Sequence, residues 1–124
     1  MGVAAGACAG VVVYIVAARI AHPGHHFNAP LFPDLRAGVE EYSRVTAAGL
    51  FSVGAALGFA RPKHPWIMGW STIWLLIVAA FCEMGADPTS HNLWPLEFVC
   101  YAVEALPAIA GACLASRLRQ ISAK

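Results

Sequence analysis

The chain has 124 residues, of which 59% are apolar and only 12% charged, with a mean hydropathy of +0.63. A soluble domain of this size carries about 25% charged residues on its surface, so the composition describes a membrane protein. The formal net charge of +1, without any run of like charges, excludes nucleic acid as a partner. A transmembrane helix takes about 20 residues, so four helices with short connections use nearly the whole chain and leave no room for a soluble domain. The expected fold is all-α: one polytopic domain over residues 1–124, a four-transmembrane-helix bundle with spans at about 2–20, 35–60, 66–84 and 93–116.

The first span, from Gly2 to Ala18, is uncharged and rich in Ala, Gly and Val; Arg19 follows at its end. Met1-Gly2 provides no positive leader, so this segment reads as a retained span and not a cleaved signal. From His22 to Pro33, three prolines and a glycine forbid a continuous helix. Asp34 is the expected cap of the second helix. That helix begins amphipathic, with Glu40 and Arg44 as an i,i+4 pair, and runs uncharged from Val45 to Ala60 as one continuous element. Arg61-Pro62-Lys63-His64-Pro65 forms a short basic turn. The third span, Trp66 to Cys82, ends near Glu83, with Trp66 and Trp70 at belt positions. The polar turn Gly85–His91 leads to Asn92 as N-cap of the fourth span, with Pro95 in its first turn.

Four spans place the N-terminus, the Arg61–Lys63 turn and the C-terminus on one side with five Lys or Arg, against Arg19, Arg36 and Arg44 on the other. The basic excess favours cytoplasmic termini, in a plasma (inner) membrane orientation. Six of the seven acids (all but Glu104) and four of the five histidines fall on the opposite side. Chemistry is therefore expected at that face, where the Glu40–Glu41 pair and the Glu83–Glu97 turn come within reach of one another.

Glu104 carries the most information, because an ionisable group at membrane depth costs at least about 2.5 kcal/mol and has to face protein or water. Three residues on, Pro107 cannot donate to the Val103 carbonyl and kinks the helix. Glu97, Cys100, Tyr101, Glu104 and Gly111 share one helical stripe, on which Glu97 lies about 10 Å above Glu104. Glu104, Glu97 and Tyr101 are the candidate proton or cation site; the competing reading makes Glu104 a neutral hydrogen-bonding contact between helices.

His22-Pro23-Gly24-His25-His26 reads HxxHH and is similar to one histidine box of the membrane fatty-acid desaturases and hydroxylases. The resemblance covers five residues. Those families hold two irons with several such boxes, whereas this chain has five histidines and no second box, so it implies no membership. A single divalent metal on His22, His25, His26 and His91 with Asp87 or Glu83 is the residual metal candidate, and no cofactor is expected. Small multidrug exporters and fluoride channels share the size class, but the exporters' first-helix glutamate and the channels' signature motifs are missing.

The four cysteines lie in apolar segments without paired spacing and read as small hydrophobes that pack in the interior. Gly2, Gly6 and Gly10, then Gly54 and Gly58, then Gly111 with Ala115 recur every fourth residue and predict close helix contact, within the chain or between copies. The first functional expectation is accordingly a non-enzymatic accessory or self-associating membrane component, a homo-oligomer or part of a larger complex in the lipid bilayer. The alternative is a small proton- or cation-coupled transporter using Glu104 and Glu97, and the third is a metal-dependent membrane enzyme with a His/acid site at the outer face.

Overall fold

The computed structural model describes residues 2–23, 29, 31–87 and 94–123; their regular structure is all helix, with no strand among them. Seven helices follow in order: α1 Gly2–Ala21, α2 Pro33–Glu40, α3 Arg44–Ala60, α4 Pro65–Ser71, α5 Trp74–Ala86, α6 Trp94–Glu104 and α7 Leu106–Ser122. Three stretches are long and apolar enough to cross a membrane: Gly2–Ala21, Pro65–Ala86 and the 28-residue Pro95–Ser122. A fourth exists if α2 and α3 count as one span, although the chain bends by 103° between them. The result is an all-α membrane bundle in which α2 and α3 meet at a sharp bend, while α4–α5 and α6–α7 each run on as one apolar helix across a short irregularity.

The bend and the irregularities have local causes. The expected single helix through 35–60 is instead two, because Ser43 caps α3 from inside the run. Its hydroxyl accepts from the Thr46 amide at 3.2 Å, and Thr46 Oγ1 accepts from the Ser43 amide at 3.3 Å, a reciprocal capping box. With α3 started afresh at Arg44, Glu40 pairs backwards with Arg36, Nε to Oε1 at 2.8 Å, and not with Arg44 as the spacing suggested. Asp34 sits in the first turn of α2 and binds Arg19 at 2.8 Å; the N-cap position belongs to Phe32. The fourth span has a local irregularity at Ala105, where Pro107 supplies no amide hydrogen, but the helix carries on across it: the Ala105 amide donates to the Tyr101 carbonyl and the Ile109 amide to the Ala105 carbonyl, each at 3.0 Å. Between α4 and α5, the Thr72 hydroxyl turns back to the Gly69 carbonyl at 2.8 Å.

The tightest packing is between α3 and α7. A Cβ placed on Gly54 would collide with the Ala108 carbonyl, one on Gly58 with the Ala112 carbonyl, and one on Gly111 with the Phe51 carbonyl. Gly10 of α1 lies equally close to the Thr72 carbonyl. Gly10, Gly54, Gly58 and Gly111 thus meet backbone of the same chain, while Gly2 and Gly6 meet the Arg61 and Ser71 side chains. The core around them comprises Tyr14, Leu50, Ile73, Leu76, Tyr101, Ala105, Ala108 and Ile109. Contrary to the interior packing expected of the cysteines, Cys8, Cys82 and Cys100 are exposed, Cys100 at the edge of a cleft, and Cys113 is partly so; all four are free thiols.

At the basic end, Arg119 donates to the Phe59 and Ala60 carbonyls and stacks over the Phe59 ring, its guanidinium carbon 5.3 Å from the ring centroid. Gln120 donates to the Pro62 carbonyl at 3.2 Å. Two side chains of α7 thereby satisfy the open carbonyls where α3 ends.

Candidate functional site

At the other end, α2, α5 and α6 do not close on one another. They leave a cleft of about 300 Å³, within the range of small-molecule sites, which starts near 300 Å³. Its walls are mostly aliphatic: Leu35 and Val39 from α2, Leu76, Ala79 and Ala80 from α5, Leu96 from α6. Its polar groups are Arg36, Glu40, Glu83, Glu97, Tyr101 and Glu104. The three residues of the predicted proton or cation site, Glu104, Glu97 and Tyr101, therefore line one cavity. The expected approach of the Glu40 region to the Glu83–Glu97 region is also present there.

Glu104 is the last residue of α6 and is held from two sides. Tyr14, fully buried in α1, donates its hydroxyl to Glu104 Oε2 at 2.9 Å. Tyr42, in the gap between α2 and α3, donates to the Glu104 carbonyl at 3.3 Å. The Tyr14 and Tyr42 rings lie 6.4 Å apart, centroid to centroid. The α2–α3 bend is thereby tied to the proline-bearing span at the residue that carries the carboxyl group, and α1 supplies the donor that orients it. Tyr14, a phenol buried in an apolar span, needs a hydrogen-bond partner, and both it and the half-buried Tyr42 find one on Glu104.

Glu83 is only 3% exposed; its Oε1 accepts from the Phe32 amide at 3.1 Å and fastens the segment before α2 to α5. Arg36, bonded to Glu40, is also within electrostatic reach of Glu83 and Glu97. Among the described residues that line the cleft there are one guanidinium and four carboxyl groups, Glu40, Glu83, Glu97 and Glu104. Phe98 of α6 meets Phe81 of α5 at 5.3 Å and Tyr101 of its own helix at 6.0 Å, between ring centroids.

Of the residues singled out as metal candidates, His25, His26 and His91 lie outside the described residues. His22 Nε2 stands 2.9 Å from Glu41 Oε2, Asp87 is the C-cap of α5, and Glu83 is in the cleft wall. Among the described residues no three His, Cys, Asp or Glu side chains come together to hold a metal ion. Sequence reasoning missed Tyr14, Tyr42 and Arg36 as members of the site. A lone tyrosine within the uncharged run of α1 was the available signal for the first.

Compared with known proteins, the chain matches no family model, no curated protein and no solved structure, and the meaning of the cleft rests on its own geometry.

Proposed function

We propose that the chain is a small proton-coupled cation carrier in which Glu104, with Glu97 above it, binds a cation and a proton in alternation. The observation that carries this reading is the meeting of the α2–α3 bend with the proline-bearing span at Glu104, inside a cleft that also contains Glu97 and Tyr101. Ionisable groups held inside an apolar span and facing protein or a cavity mark ion and proton pathways. The chemistry is a competition. A carboxyl group that holds its proton is neutral and has no hold on a cation; once the proton leaves, the carboxylate attracts one. Since the two occupants exclude each other, passage of one drives passage of the other in the opposite direction. Tyr14 keeps the carboxyl group pointed and supplies a hydrogen bond that does not leave with the proton. Beneath, α3 and α7 form the fixed platform; α2 and α6, joined to it through the bend at Glu41–Ser43 and the irregularity at Ala105, form the movable wall.

In this reading the cleft opens to the outside, and the N-terminus, the Arg61–Lys63 turn and the C-terminus are cytoplasmic. The orientation is tested by a cysteine at His64 in a background without the four native thiols. Reaction with an impermeant reagent on intact cells would invert it.

The carrier reading is tested in proteoliposomes given an inside-acid pH gradient and an internal pH dye. Addition of external Na⁺, K⁺, tetramethylammonium or benzyltrimethylammonium should collapse the gradient for at least one of them. Glu104→Gln, which keeps shape and hydrogen bonding but cannot exchange a proton, should abolish the response while folding normally. A gradient indifferent to all four cations, in liposomes shown to contain folded protein, would overturn the proposal.

A further inference from the structure

Granted a cation site, the cleft also restricts which cation it suits. Its carboxyl groups are spread along the walls and not gathered at a point: Glu83 on α5, Glu97 near the top of α6, Glu104 at its lower end. Among the described residues no three such groups converge as a metal ion would require, and a small ion that sheds its water needs several oxygens at once. Between the carboxylates lie aliphatic surfaces from three helices, Leu35 and Val39, Leu76 and Ala79, and Leu96, enclosing about 300 Å³. Hydrocarbon walls give an inorganic ion nothing, but they reward an apolar body that leaves water. Among the described lining residues the carboxyl groups outnumber the one guanidinium, a balance that favours a cation over an anion.

From this combination we propose that the cleft binds an organic monocation with an apolar body, such as an arylalkyl ammonium, its charge beside Glu97 and Glu83 and its hydrocarbon part between α2 and α5. The inference rests on the cation-site reading of Glu104 and adds the ligand's class. Charge complementarity selects the head, and the aliphatic walls select the body.

Cys100, a free thiol that lines the same cleft, provides a reporter already in place. In a protein with Cys8, Cys82 and Cys113 changed to alanine, a trimethylammonium methanethiosulfonate should modify Cys100 faster than the sulfonate reagent of similar size. A field focused by an apolar-walled acidic cleft makes that difference about tenfold or more. Benzyltrimethylammonium should protect the thiol at concentrations about tenfold below those needed by tetramethylammonium, since only the former fills the aliphatic part. Na⁺ and Ca²⁺ should protect only as ionic strength does, and benzenesulfonate not at all. Ala79→Phe, which fills the cavity, should remove protection by benzyltrimethylammonium, and Glu97→Gln should weaken it about tenfold. Equal protection by tetramethylammonium and benzyltrimethylammonium, or by Ca²⁺, would overturn the ligand class, as would faster modification by the anionic reagent. The two proposals fail separately. Protection without any cation-driven proton flux removes the carrier and leaves the binding site; flux with Na⁺ or K⁺ without protection by the arylalkyl cation removes the ligand class and leaves the carrier.

Discussion

The two ends of this bundle are built on opposite principles. At the basic end, α3 and α7 approach until glycine hydrogens face carbonyl oxygens, and Arg119 and Gln120 close the remaining carbonyls where α3 stops. At the acidic end, α2, α5 and α6 keep their distance behind bulky side chains, and hydrogen bonds from Tyr14, Tyr42 and Phe32 hold a few carboxyl and carbonyl groups around an open volume. The difference shows how a short chain can be rigid and hollow at once. Backbone contact in one half supplies the stiffness that the other half, with its bend and its open cleft, does not have.

Placing a β-branched side chain into the packed half should have the largest effect. Gly58→Val drives a side chain into the Ala112 carbonyl, and because backbone cannot step aside it should cost about 3 kcal/mol and lower the detergent melting temperature accordingly. A variant as stable as the parent would mean that α3 and α7 are farther apart than described. Next comes the hydrogen-bonded half. Tyr14→Phe leaves Glu104 without its phenol donor and should lose about 1 kcal/mol, the scale of one interhelical hydrogen bond in a membrane. Glu104→Leu should lose a similar amount, and Tyr14→Phe combined with Glu104→Leu little more than either alone, since both remove the same bond. Full additivity in that cycle would show that the two residues do not interact.

Arg119→Ala should cost about 0.5 kcal/mol, because its targets are helix-end carbonyls and not a carboxylate. Added salt should therefore weaken it less than it weakens the exposed Arg19–Asp34 pair at the other end. The smallest change sharpens the contrast most. Gly85, in the last turn of α5 at the acidic end, has open space where its Cβ would be. Gly85→Ala should be neutral or stabilise by about 0.5 kcal/mol, and thermal melts of the two glycine variants side by side would measure the asymmetry directly.

Much of the fold was readable from the residues. Uncharged runs marked the spans, Pro107 marked the irregularity beside Glu104, and the 3-4-7 spacing put Glu97, Tyr101 and Glu104 on one stripe that the structure brings to one cleft. The break at Glu41–Ser43 escaped because the stretch has neither proline nor glycine. Its only local sign is Ser43 three residues before Thr46, a capping box with Thr where Glu or Gln is usual. Missing it misdirected Glu40, which had an arginine four residues away on either side, and only the helix boundary chooses Arg36. The glycine repeats specified close contact but not with what. Partners of a small-residue stripe are set by the path of the chain, which periodicity does not contain. Tyr14 and Tyr42 are separated from Glu104 by 90 and 62 residues, so no local pattern could have joined them.

The 28-residue stretch Pro95–Ser122 has a consequence for depth. It is about 42 Å long, whereas the hydrocarbon layer is about 30 Å thick. The surplus has to emerge on one side or be absorbed by tilt, and the exposed Arg117 and Arg119 hold that end in the headgroup zone. With Arg117 at the boundary, Glu104 stands about 20 Å above it, which leaves about 10 Å of hydrocarbon between the carboxyl group and the opposite surface. The charge-bearing residue is therefore off-centre, closer to the acidic side. Lipids with shorter tails would bring the water surface down toward it, and longer tails would submerge it, so the acyl-chain length of the surrounding bilayer acts as a control on how readily Glu104 meets solvent.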